Sequence, residues 1–148
     1  MSKTILILNG PNLNMLGTRE PGIYGASSLS DIGKLCAEAC EKAGFKGDFR
    51  QSNHEGELVT WVQQASQDAN FKGVIVNAGA YTHTSVALHD ALRLLSCPIV
   101  EVHLSNPMAR ESFRHTSYVA PLAFASICGL GPTGYLVAIE ALAKKLSN

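Results

Sequence analysis

The sequence predicts an α/β fold: five parallel strands in one open sheet, with helices on both faces. Three observations predict it. Short, mostly apolar runs recur along the chain without alternating polar residues, the pattern of strands covered on both faces. Stretches of helical periodicity, bounded by capping residues, separate them. The length of 148 residues suits a single domain spanning residues 1–148. A domain of that size buries roughly 68–70% of its unfolded surface and needs no disulfide or metal to fold.

The elements follow in order. Thr4–Leu8 is the first strand, closed by Asn9-Gly10-Pro11. Ser28 and Asp31 form a capping-box-like pair before a helix over Ile32–Ala43, which Gly44 terminates. Gly47–Gln51 is the second and weakest strand. A helix over Glu57–Ala69 sets Leu58, Val62 and Ala65 on one face. Gly73–Asn77 is the third strand. Thr84 or Ser85 caps a third helix running to Leu95. Ile99–His103, after Pro98, is the fourth strand. An irregular stretch from Ser105 to Leu122 precedes the fifth, Phe124–Cys128, and Thr133–Leu146 is the last helix. This succession gives the flavodoxin-like strand order 2-1-3-4-5.

Composition excludes several classes. Twelve basic and twelve acidic residues cancel, so the chain lacks the basic excess of a nucleic-acid binder. Its four cysteines, Cys36, Cys40, Cys97 and Cys128, form no C-x-x-C pair and sit in apolar contexts, which suits buried reduced thiols. No stretch approaches the roughly 20 apolar residues that span a bilayer, and the run after Lys3 is too short for an export signal. The expected location is the cytoplasm, with no membrane partner.

In an open α/β sheet the ligand sits beyond the carboxyl ends of the strands. The chemistry is therefore expected in Asn9–Ser27, Asn77–Thr84, His103–Thr116 and Gly129–Gly134. The first of these exceeds the about 12–15 residues of ordinary connections and carries Arg19 and Tyr24 between glycines, as a lid would. Three of the five arginines (Arg19, Arg110 and Arg114) fall in these segments. Their planar forks suit a carboxylate or another oxygen-rich ligand. No lysine falls there, so Schiff-base chemistry has no evident nucleophile. Period-two alternation puts Glu101 and His103 on one face of the fourth strand, a carboxylate beside an imidazole at the strand's carboxyl end. His83 lies in a tight polar turn, whereas His54, His89 and His115 have no comparable context. No dense ligand spacing indicates a metal.

Gly129-Leu130-Gly131-Pro132-Thr133-Gly134 matches G-x-G-x-x-G, but only a terminal helix follows it. A second strand ending in an acidic residue is missing, so a close-packed strand–helix turn is expected there rather than a dinucleotide site. Gly10-Pro11-Asn12 likewise has too few glycines and no lysine for a phosphate loop. The residues alone still leave room for a nucleotide- or flavin-binding module, or for an assembly subunit without catalysis. The latter gives no account of the arginine, tyrosine and histidine set.

Three blocks carry more. NGPNLNMLGTREPGIYG, NAGAYTHTSVALHDA and EVHLSNPMARESFRH closely resemble those of type II 3-dehydroquinate dehydratase, and the GLGPTGY turn is similar too. The resemblance runs in order over essentially the whole chain. It implies anti elimination of water from 3-dehydroquinate through an enolate to give 3-dehydroshikimate, in the shikimate pathway (aromatic amino acid biosynthesis) or in quinate catabolism. It implies a homo-oligomer, a dodecamer built from trimers; the lack of metal spacing and of lysine in the post-strand segments points to no cofactor. By matching position, Tyr24 is implied as the base, Arg19 as its activator and His103 as the general acid. Asn12 is implied to stabilise the enolate through a water, Asn77 to bind the substrate, and Asn77 and Glu101 to orient or tune the acid. Leu104 and Ser105 are implied to hold the substrate carboxylate, and His83 and Arg114 its ring hydroxyls. Asp90 is implied to reach in from a neighbouring subunit, and Arg110 matches a further arginine near the site. Met15 and His89 depart from the pattern, standing where leucine and arginine are common.

Overall fold

The computed structural model describes residues 3–18 and 27–147. Five strands, β1 (Thr4–Asn9), β2 (Lys46–Gln51), β3 (Phe71–Asn77), β4 (Ile99–His103) and β5 (Ala125–Cys128), form one sheet in the order β2-β1-β3-β4-β5. Every neighbouring pair is parallel. The helices are α1 (Leu29–Lys42), α2 (Glu55–Ser66), α3 (Val86–Leu92) and α4 (Thr133–Leu146).

Alternation along each strand divides the core in two. Ile5, Ile7, Ile75, Val100 and Val102 face α1 and α4, where they meet Ile32, Cys36, Tyr135 and Ile139. Leu6, Leu8, Val74, Val76 and Ile99 face α2 and α3, against Leu58, Val62, Leu88 and Leu92. Both faces of the central strands are thus covered, which is why their sequences read as unbroken apolar runs. β5, at the sheet edge, alternates between half-buried and exposed positions instead.

The helix boundaries differ from the sequence expectation for identifiable reasons. Ser28 is the N-cap of α1: its Oγ accepts from the Asp31 N–H, and the Asp31 carboxylate accepts from the Ser28 N–H, each at 3.1 Å. The helix therefore begins at Leu29, three residues before the expected Ile32. Ser85 rather than Thr84 caps α3, accepting from Leu88 N–H at 2.8 Å, and that helix stops at Leu92 rather than Leu95. Short 3-10 turns occupy Leu13–Met15, Gly79–His83, Pro107–Ala109, Ser112–Arg114 and Ala120–Leu122. All four cysteines are free thiols. Cys36 and Cys40 are buried as expected, but Cys97 is half-buried and Cys128, at the end of the edge strand, is exposed.

Candidate active site

Three strands end on polar residues at the same edge of the sheet: β1 on Asn9, β3 on Asn77 and β4 on His103. Asn9 and Asn77 are paired across the ladder and both are buried. The turns that follow press against each other. Gly10 N–H donates to the Asn77 carbonyl at 2.8 Å. A Cβ on Gly10 would lie 2.1 Å from the Ala78 carbonyl oxygen, so only glycine permits this approach. Asn12 takes the left-handed conformation at φ 70°, with its N–H bonded to Asn53 Oδ1 at 3.0 Å. Asn is among the few residues that accept that geometry readily.

The Gly129–Gly134 turn is a packing device. Gly129 and Gly131 have positive φ, and their N–H groups bond the His103 and Leu104 carbonyls at 3.2 and 3.0 Å. Gly134 sets the first turn of α4 on the Val102 and Ile127 side chains, which a Cβ there would meet at 3.4 Å. The turn thereby ties the end of β4 to α4.

These turns enclose one pocket at the carboxyl edge of the sheet. Asn12, Asn77, His83, His103, Leu104, Ser105, Arg110 and Arg114 all line it. The His83 and His103 rings are nearly parallel, 15° apart, with centroids 6.4 Å apart. His83 Nδ1 donates to the Thr116 carbonyl at 2.8 Å, because a carbonyl can only accept. Arg110 donates to Ser105 Oγ at 3.2 Å, and Arg114 to the Glu111 carboxylate at 2.9 Å.

Beneath His103 lies Glu101, only 2% exposed. Its Oε2 accepts from His103 Nε2 at 2.8 Å and from Ser117 Oγ at 2.6 Å, and its Oε1 accepts from Ser126 Oγ at 2.5 Å. Burial pushes the Glu101 carboxyl upward. The hydrogen bonds from His103, Ser117 and Ser126, with the charge of His103, outweigh that and hold it below the ordinary carboxylate value. An ionised carboxylate accepts only, so His103 Nε2 carries a hydrogen and Nδ1 is the nitrogen available to a ligand.

The family model for dehydroquinase class II matches residues 3–143. The chain belongs to this family. The 3-dehydroquinate dehydratase of Rhodopseudomonas palustris (strain HaA2) is 57% identical over 148 residues, covering 100% of this chain and 97% of that protein. A 3-dehydroquinate dehydratase 1 of Agrobacterium fabrum is 58% identical over 142 residues, 96% of this chain and 97% of its own. Among solved structures, the type II dehydroquinase from Propionibacterium acnes superposes with a TM-score of 0.92 at 42% identity, covering 97% of this chain and 98% of that one.

As a class II dehydroquinase, the chain brings most of the expected site residues into one place. Asn12, Asn77, His83, His103, Leu104, Ser105, Arg110 and Arg114 share the pocket, and Glu101 supports it from below. Asp90 does not join them: it is exposed on α3, away from the pocket lining of its own chain. Arg19 and Tyr24 lie outside the described residues. Three residues enter that sequence reasoning did not single out: Ser117 and Ser126, which bond Glu101, and Tyr135, which bonds Asn77. Tyr135 ends the GLGPTGY turn, and that placement was its only sequence signal. Among the described residues, no group of three or more His, Cys, Asp or Glu is arranged to hold a metal ion, and no helix is long and apolar enough to cross a membrane.

Proposed function

We propose that this dehydroquinase, a hydro-lyase, removes water from 3-dehydroquinate by anti elimination through an enolate, giving 3-dehydroshikimate. The observation that carries the mechanism is the buried Glu101–His103 pair opening into a pocket that Arg110 and Arg114 also line. The substrate is an anionic, hydroxylated ketone, and such a pocket supplies cationic forks and hydrogen-bond donors for it.

Tyr24 takes the proton next to the ketone, and Arg19 lowers the cost of its phenolate. A phenol of pKa about 10 is ionised in roughly one molecule per thousand at pH 7. Lowering that pKa by about two units takes roughly 2.7 kcal/mol of differential stabilisation, within reach of a close guanidinium in a closed site. Asn12 holds a water against the developing enolate oxygen, where a donor already in place does most good. His103 protonates the departing hydroxyl from Nδ1, while Glu101 on Nε2 fixes the ring and balances its charge. Leu104 and Ser105 hold the substrate carboxylate, and His83 and Arg114 its hydroxyls. Asp90 completes the site of an adjacent copy in a closed oligomer, a dodecamer built from trimers. The reaction takes place in the cytoplasm and uses no cofactor.

Incubation of the purified protein with 3-dehydroquinate tests the reading. The conjugated enone of the product absorbs in the ultraviolet, so absorbance should rise with time. A flat trace with folded protein overturns it. Borohydride added with substrate should leave activity intact, and a trapped covalent adduct would contradict an imine-free route. Light scattering checks the assembly, since a fully active monomer rules out the shared role of Asp90.

A further inference from the structure

One hydroxyl of the C-terminal helix enters the floor of the site. Tyr135, in the first turn of α4, is fully buried between the sheet and α1. Its oxygen bonds the two asparagines that end β1 and β3. The directions of these bonds follow from donor and acceptor chemistry. The Arg50 carbonyl only accepts, so the Asn9 atom 3.0 Å from it is the amide nitrogen. Asn9 Oδ1 therefore faces Tyr135, whose hydroxyl donates to it at 2.6 Å. With its single hydrogen given, the hydroxyl accepts from Asn77 Nδ2 at 2.8 Å. Asn77 Oδ1 then faces the Gly79 N–H at 3.3 Å.

All four bonds point one way, from the turn after β3 to the main chain of β2. Reversing the Asn77 amide would set its oxygen against a hydroxyl with no hydrogen left, and its nitrogen against the Gly79 N–H. The first mismatch would be buried and the second half-buried, where unpaired polar groups are costly. Asn77 lines the pocket beside His103, and its Nδ2 has a second hydrogen that Tyr135 does not use.

We propose that Tyr135 is a positioning residue of the dehydration site, fixing the Asn77 amide so that Asn77 meets the substrate as a hydrogen-bond donor. The inference rests on the dehydratase reading above. It gives the Gly129–Gly134 turn a further purpose: the close strand–helix approach brings the Tyr135 hydroxyl within reach of both asparagines.

The test is a double-mutant cycle on turnover of 3-dehydroquinate. Tyr135→Phe keeps the ring and should lower kcat/KM by about tenfold, the scale of one well-placed hydrogen bond. In an Asn77→Ala background the same change should cost less than about twofold, because the residue it acts through is gone. Multiplying effects, or an unchanged kcat/KM in folded Tyr135→Phe, overturn the inference. Asn9→Leu provides a second route should Tyr135→Phe fail to fold. Without an acceptor at position 9 the Tyr135 hydroxyl can turn and donate to Asn77 Oδ1, so kcat/KM should fall although neither Tyr135 nor Asn77 has changed. Wild-type kcat/KM in Asn9→Leu overturns the inference as well. Side-chain amide NMR separates this from the activity assignment. One Asn77 Nδ2 hydrogen should be protected from exchange in the wild type and unprotected in both variants. An inactive wild type would remove the dehydratase reading, and the amide signals alone would then decide the role of Tyr135.

Discussion

The Glu101 carboxylate and the His103 ring meet at 2.8 Å, two residues apart on one strand. Alternation along β4 puts them on the same face, and burial of Glu101 keeps the contact dry. Glu101→Gln isolates the charge in that contact. A glutamine can turn its NH2 toward Ser126, whose hydroxyl can accept, and leave its oxygen to His103 and Ser117. The fold should survive, with circular dichroism unchanged, while kcat for 3-dehydroquinate falls by about 10²-fold. Wild-type turnover in this variant would mean that the ring is held but its charge is not balanced by Glu101.

The Glu101 carboxyl also makes stability depend on pH. Its value in the folded protein lies below the ordinary 4.5, so its contribution is fully present above pH 4.5 and is lost as pH falls through the lower folded value. Ser126→Ala removes one of the donors responsible. It should destabilise by about 1.5 kcal/mol at pH 7, and the difference from wild type should shrink below pH 4.5. Urea unfolding at several pH values measures both, and a penalty independent of pH would show that Ser126 does not act through the carboxylate.

Much of this was legible in the sequence, for physical reasons. GVIVN and the other two central strands read correctly because a strand covered on both faces must be apolar throughout. Glu101 and His103 read as neighbours because a period of two is local. α1 starts before Ile32 because the Ser28–Asp31 capping box already commits the backbone at Leu29, which itself packs against the core. Ser117, Ser126 and Tyr135 gave no such signal. Their partners lie 16, 25 and 58 residues away, and only the folded sheet brings them together. The shared pocket of Asn12, His83 and Arg114 was likewise readable from the family blocks, not from any local pattern.

Gly10 should tolerate no side chain. A Cβ there would meet the Ala78 backbone oxygen at 2.1 Å, with nothing flexible to yield. Gly10→Ala should destabilise by about 2–3 kcal/mol and depress activity, because the displaced turn carries Asn12. Thermal unfolding with a parallel assay checks this. A variant as stable and active as wild type would show that the two turns can separate without harm.

The cysteines should divide by burial. Burial raises the Cys36 thiol to about 12 and the Cys40 thiol to about 11, so neither supplies thiolate near neutrality. Alkylation of the native protein at pH 8, followed by peptide mass mapping, should leave both unmodified until denaturant is added. Rapid native labelling of Cys36 would mean that α1 opens from the sheet far more readily than its packing indicates.

In the proposed mechanism the two proton transfers belong to Tyr24 and His103, and their variants should fail in different ways. Tyr24→Phe keeps the ring but has no oxygen to take a proton, so proton abstraction should collapse by about 10²–10⁴-fold with folding intact. His103→Ala removes the acid at the other end of the substrate and should lose activity on the same scale. Arg19→Ala leaves the base in place but returns Tyr24 toward a pKa of about 10, where phenolate is scarce at neutral pH. The sign of the pH effect follows. Raising the pH ionises Tyr24 from solution, so Arg19→Ala should regain part of its activity under alkaline conditions, whereas Tyr24→Phe should not respond. The pH–rate profiles of the three variants with 3-dehydroquinate decide the matter. Near wild-type turnover in Tyr24→Phe, or a folded Arg19→Ala that gains nothing at alkaline pH, would exclude a tyrosinate base.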